Sequence, residues 1–94
     1  MKRLEIITLR STGAKQRESV VKLIQPILEE QQDRQNDSIQ MYLSPTVETD
    51  LSIHIHGHTD KTINEKSSLG NGFVEILSEF GLVSYTLWLK EGGN

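Results

Sequence analysis

Cysteine is absent from this 94-residue chain, which excludes a disulfide framework and thiolate chemistry and suits a reducing cytoplasm. Basic charge is scarce and scattered: ten Lys and Arg stand against thirteen Asp and Glu, with a sequence pI near 5.5. A nucleic-acid or anionic-membrane surface calls for clustered Lys and Arg, so neither partner is expected. Long apolar runs are also missing. The opening Met1-Lys2-Arg3-Leu4-Glu5-Ile6-Ile7 is interrupted by Glu5, and its apolar run ends at Arg10, too short for a signal-peptide core or a membrane span. A cytoplasmic protein is expected. Ser-His-Asp, P-loop and dinucleotide motifs do not occur, and no cofactor is expected. Gly70-Asn71-Gly72-Phe73-Val74 looks like an RNA-recognition box, but it falls on a helical stripe and lacks the flanking basic residue. The length is that of one domain, residues 1–94, and a chain of this size buries only about 60 to 65% of its unfolded surface. Any large exposed apolar face is therefore costly.

What is present is one strongly patterned stretch, Leu51-Ser52-Ile53-His54-Ile55-His56-Gly57-His58. Its period of two predicts a strand with Leu51, Ile53, Ile55 and Gly57 on one face and Ser52, His54, His56 and His58 on the other. All three histidines of the chain thus share one sheet face. Around this strand the pattern changes period twice. Leu4 to Arg10 is apolar on both faces, as in a central strand covered on both sides. Ser11-Thr12-Gly13 breaks it and offers N-cap oxygens. From Ala14 to Gln32 the stripe Val20, Val21, Leu23, Ile24, Ile27 and Leu28 predicts an amphipathic helix that continues past Pro26. Gln31 to Asp37 reads as a loop, Ile39 to Ser44 as a second strand, and Thr59 to Lys66 as a polar loop. Leu69, Phe73, Ile76, Leu77 and Phe80 form a second helical stripe, with Ser67 or Asn64 as cap and Gly81 placed to end it in a left-handed conformation. Val83, Tyr85, Leu87 and Leu89 alternate in a last strand, and residues 92–94 form a frayed tail.

The element order is β-α-β-β-α-β, the ferredoxin-like α+β pattern, in which two helices cover one face of a four-stranded antiparallel sheet. The helix side takes Ile39, Met41, Leu43, Leu51, Ile53, Ile55, Val83, Tyr85, Leu87 and Leu89. The other side takes Gln40, Tyr42, Ser44, Ser52, His54, His56, Ser84, Thr86 and Trp88. The first strand is undecided, because Leu4, Ile6 and Thr8 compete with Ile7 and Leu9. The second face is a semi-polar lining of imidazole, hydroxyl and aromatic groups, the composition of a cavity or a wet dimer interface. Its simplest cover is a second copy of the same sheet, closing an eight-stranded barrel around a lumen.

The chain resembles the dimeric α/β barrel proteins, in particular the antibiotic-biosynthesis-monooxygenase-like group. The resemblance runs from Leu4 to Lys90 and is carried by the element order, by Ile7-Thr8-Leu9-Arg10-Ser11 leading into the first helix, by Tyr42 before the hairpin, and by Glu48-Thr49-Asp50-Leu51-Ser52-Ile53 entering the third strand. It implies a homodimer with a pocket in the barrel lumen or between sheet and helices. For some members it implies cofactor-independent oxidation of polycyclic or quinol substrates, or haem breakdown. The Asn, His and Trp used by the haem-degrading members have no counterpart arrangement here, since Trp88 lies on the last strand and the first strand has no Asn. No catalytic residue is carried over. Acylphosphatases share the element order, but their glycine-rich phosphate loop does not follow the first strand.

Three readings of the histidine row stay open. Alternate strand residues lie about 6.6 Å apart, so one adjacent pair among His54, His56 and His58 can share a metal ion with a further carboxylate such as Asp60 or a partner's histidine, whereas His54 and His58 at about 13 Å cannot. The row can instead line a polar interface, or act as a pH sensor whose imidazoles repel when protonated. Tyr42 and Trp88 can stack on a flat ligand or anchor a dimer. Arg10 can bind an anion with the first helix's N-terminus or pair with Glu48 or Asp50. The expectation is a cytosolic homodimeric domain that binds a ligand or a partner without catalysis, with Tyr42, His54, His56, Trp88 and Arg10 as pocket or dimer-face residues. The alternative is a cofactor-independent monooxygenase-like enzyme with its pocket in the lumen.

Overall fold

The computed structural model describes residues 2–34, 38–58 and 65–91. Strands β1 (Lys2–Ser11), β2 (Ser38–Leu43), β3 (Asp50–His58) and β4 (Gly81–Leu89) and helices α1 (Ala14–Arg34) and α2 (Ser68–Leu77) follow in the order β1-α1-β2-β3-α2-β4. The strands form one sheet in spatial order β2-β3-β1-β4, and every neighbouring pair is antiparallel. This is an α+β architecture compatible with a ferredoxin-like fold. The histidine-bearing strand β3 and strand β1 are the two central strands. Asp60, Asn64 and the tail at 92–94 lie outside the described residues.

Both helices pack on one face. Val20, Ile24 and Leu28 of α1 and Phe73 and Leu77 of α2 are buried against Ile7, Leu9, Ile39, Leu51, Ile53 and Ile55 from the sheet. Each such aliphatic side chain contributes about 1.5–3 kcal/mol of burial. β1 thereby resolves its ambiguity: Ile7 and Leu9 are fully buried, while Leu4, Ile6 and Thr8 turn to the opposite face and stay only partly covered. Among the described residues no second layer covers that face.

Several local expectations are corrected. Leu23 does not join the α1 stripe but is 46% exposed, because the helix turns by about 100° per residue and so carries it well to one side of the buried Val20, Ile24 and Leu28 line. Helix α1 takes in 31–34, which read as loop; once nucleated, a helix adds residues of good propensity at little cost even without an apolar stripe. The Ser11 hydroxyl does not cap α1. Its single O–H is within reach of two carbonyls, Gly13 (2.8 Å) and Thr49 (2.7 Å), and donates to one of them at a time. Helix α2 starts at the expected cap, with Ser67 Oγ accepting the Gly70 N–H at 2.9 Å, but ends at Leu77 with Ser78 in a right-handed cap. Gly81 is the first residue of β4 instead, where a Cβ would overlap the Arg10 carbonyl oxygen and lie 2.9 Å from the Ser11 Cα. Ser44 leaves the sheet, its hydroxyl accepting the Val47 N–H in the β2–β3 turn. Arg17 fastens α1 to that turn by donating from one guanidinium nitrogen to the carbonyls of Ser44, Val47 and Asp50.

Candidate functional site on the open sheet face

The strand registers arrange the open face in rows. Tyr42, Ser52, Thr8 and Ser84 stand side by side across β2, β3, β1 and β4. The next row is Gln40, His54, Ile6 and Thr86, and the one after it Ser38, His56, Leu4 and Trp88. The result is a mixed surface, aliphatic along β1, imidazole and phenol over β2 and β3, hydroxyl and indole along β4. Tyr42 and Trp88 remain 48% and 57% exposed, which is high for side chains whose apolar area favours cover.

Tyr42, His54 and His56 come together. The Tyr42 and His54 rings are tilted with centroids 4.6 Å apart, and the His54 and His56 rings lie 6.4 Å apart. Tyr42 donates to Gln40 Oε1 at 2.6 Å, and Ser52 Oγ shares a 3.1 Å hydrogen bond with His54 Nε2. Partial burial lowers the His54 pKa, and the neighbouring His56 lowers it further. His54 is thus neutral at pH 7 with a nitrogen able to take a proton. Beside it lies a depression of ≈ 270 Å³ lined in part by Ile6, Thr8, Tyr42, Ser52 and Asp50. Trp88 does not join this group. It stands two strands from β3, separated from His56 by Leu4, and its Nε1 donates to Thr86 Oγ1 at 3.0 Å. Among the described residues no three His, Cys, Asp or Glu side chains gather as a metal set.

Arg10 also stands apart, at the end of β1. Of the two roles open to it, the carboxylate pair is formed: Nε and one Nη each donate to Asp50 at 3.1 Å, a bidentate fork. That fork holds the Asp50 pKa below and the Arg10 pKa above their usual ranges.

A second polar cluster, on the helix side, escaped the sequence reading. Glu5 is 2% exposed. Its Oε1 accepts from the Ser67 backbone N–H and hydroxyl, both at 2.9 Å, and from the Tyr85 hydroxyl. Arg3 lies 3.6 Å from the other oxygen, and Lys66 Nζ stands 4.5 Å from the Tyr85 ring centroid. Burial, and then the bond to Glu5, push the Tyr85 pKa up to about 12. Glu5 thus anchors the cap of α2 to the sheet. A Cβ on Gly70 would overlap the Tyr85 hydroxyl and lie 2.7 Å from Glu5 Oε1, which explains a glycine in that first turn. The one sequence signal was parity, since Glu5 alternates with Ile7 and Leu9, and it becomes readable only once the β1 face is known.

No helix among the described residues is long and apolar enough to cross a membrane. No family model and no curated protein matches the sequence. Two solved structures share the fold. One is Rv0793 from Mycobacterium tuberculosis, with a TM-score of 0.70 and 12% identity over 99% of this chain and 98% of that one. The other is a conserved protein of unknown function from Bacteroides thetaiotaomicron VPI-5482, described as a possible oxidoreductase, with a TM-score of 0.65 and 13% identity over 93% of this chain and 94% of that one. At such identities the likeness is one of fold.

Proposed function

We propose that the protein is a homodimeric, non-catalytic binding domain of the dimeric α/β barrel kind, in which two open sheet faces meet around a lumen lined by Tyr42, His54, His56 and Trp88. The observation that supports this reading is the uncovered face itself. Leu4 and Ile6 of a central strand are only partly covered, and Tyr42 and Trp88 on the same face are exposed, while both helices occupy the other side. Strands of 10, 6, 9 and 9 residues, at about 4.8 Å between strands and about 3.3 Å per residue, give a face of roughly 540 Å² in projection. With its side-chain relief this approaches the ~800 Å² that each partner buries in a standard interface.

Native mass spectrometry of untagged protein tests the reading. The expected result is a mass of twice 10.7 kDa, with or without a bound small molecule. A monomer at micromolar concentration overturns it.

A second reading rests on His54, whose pKa partial burial lowers and which contacts Tyr42 and Ser52, two residues that line a depression large enough for part of an aromatic ring system. It is a cofactor-independent oxidase of hydroquinone-like substrates, in which His54 takes one phenolic proton and returns it to the reduced oxygen, so that the quinol's two electrons and two protons pass to dioxygen and leave quinone and hydrogen peroxide. The possible oxidoreductase among the fold neighbours is in line with it. Oxygen uptake with a naphthalenediol, abolished by His54→Gln, would favour this reading over the first; uptake no faster than buffer would remove it.

A further inference from the structure

We propose that the end of the sheet where β1 begins and β3 finishes is an oxyanion-binding site that takes a phosphate or carboxylate group. Lys2, Arg3, Ser38, His56, Gly57 and His58 line an open depression of ≈ 280 Å³ there. Register assembles it from residues far apart in sequence: Lys2 pairs with His58, Arg3 with Gly57, and Ser38 with His56. Two of the chain's ten Lys and Arg residues and two of its three histidines thus converge on one cavity, in a protein whose net charge is −3. Among the described residues no carboxylate lines it. Ser38 adds a hydroxyl donor, and Gly57 leaves the floor free of a side chain.

Arg3 is only partly engaged. One of its Nη atoms donates to the Glu65 carbonyl at 2.8 Å and lies 3.6 Å from Glu5 on the helix side, so Arg3 stands behind the cavity and adds charge there, while the donors facing it are Lys2, Ser38, His56 and His58. The same cations argue against a metal on His56 and His58, because a divalent ion would sit among Lys2 and Arg3. An anion gains from both, and gains further from each imidazole that is protonated. Among the described residues, the charged and titratable groups around the site are Lys2, Arg3 and, behind it, buried Glu5 from β1, His54 from β3, Glu65 before α2, and Lys90, whose backbone N–H donates to the Lys2 carbonyl. β2 contributes only Ser38. The site is complete on one chain and does not rest on the dimer.

Titration with sulfate and with acetate in chloride buffer at constant ionic strength, followed by imidazole and amide NMR signals, tests this. Sulfate keeps its charge between pH 5.5 and 8, so any pH dependence belongs to the protein. The expected result is saturable sulfate-induced shifts at Lys2, His56 and His58. The stronger of the two probes separates a phosphate site from a carboxylate site. The double variant Lys2→Gln/His58→Gln should unfold at the wild-type temperature and lose about tenfold in affinity for that probe at pH 5.5. Linear, unsaturable shifts spread over the whole surface, or a double variant that binds like wild type, would overturn the proposal. A monomer that still binds would remove the dimer and leave this site standing.

Discussion

Glu5 and His54 project from neighbouring central strands to opposite faces of the same sheet, and their surroundings differ in kind. Glu5 is sealed under α2, with three donors on one oxygen and Arg3 beside the other. His54 is half-buried, holds one hydrogen bond to Ser52, and shares its row with Ile6 and Thr86 under no covering element. A buried polar group whose partners are all supplied from within holds a fold together. A partly desolvated one beside uncovered aromatics keeps its remaining capacity for something outside the chain. The helix side thus reads as structure and the open side as function.

Substitutions can break this contrast. Ile55→Asp places a carboxyl group on the sealed side in contact with the core; ionised or protonated, it loses the aliphatic packing and its hydration, a cost of about 5 kcal/mol against the 5–15 kcal/mol of a small domain's fold, so circular dichroism should show a largely unfolded chain. Glu5→Ala leaves the Tyr85 hydroxyl and the Ser67 N–H without their acceptor and Arg3 without its counter-charge; a loss of about 3–5 kcal/mol is expected by urea unfolding. Gly70→Ala presses a methyl group onto the same cluster, with an expected cost of about 1–3 kcal/mol. If Glu5→Ala proved as stable as wild type, the helix-side cluster would not be the anchor described.

The smallest effect concerns pH and sharpens the other half of the contrast. Burial holds the folded His54 pKa below the ordinary histidine value of about 6.5 that applies to the unfolded chain. Between those two values the unfolded chain binds more protons, so stability is full above about pH 6.5 and declines as pH falls through the folded pKa. The corresponding loss from Asp50, whose folded pKa is also lowered, begins only below about pH 4. The thermal midpoint should therefore be lower at pH 5 than at pH 8, with a smaller difference in His54→Gln. An equal difference in both proteins would detach the effect from His54.

The legible parts of the molecule were those with a clean local period. The alternation of Leu51 to His58 placed every histidine on the open face, and the stripes at Val20, Ile24 and Leu28 and at Leu69, Phe73 and Ile76 located both helices. β1 was ambiguous because a central strand with Leu4 and Ile6 on one side and Ile7 and Leu9 on the other has no polar face to mark its orientation. The Glu5 cluster was invisible for a different reason. Its partners stand 62 and 80 residues away, and no window of sequence contains a contact made by the register of β1 against β4. The cavity at Lys2 and His58 is likewise a product of register.

Trp88→Asp, measured by sedimentation against wild type, goes most directly to the claim that the open face pairs with a second copy. Trp88 is exposed and touches none of the buried core, so the variant should fold. The account predicts a wild-type dimer and a folded Trp88→Asp monomer of 10.7 kDa. A wild-type monomer, or a Trp88→Asp dimer as tight as wild type, would contradict it.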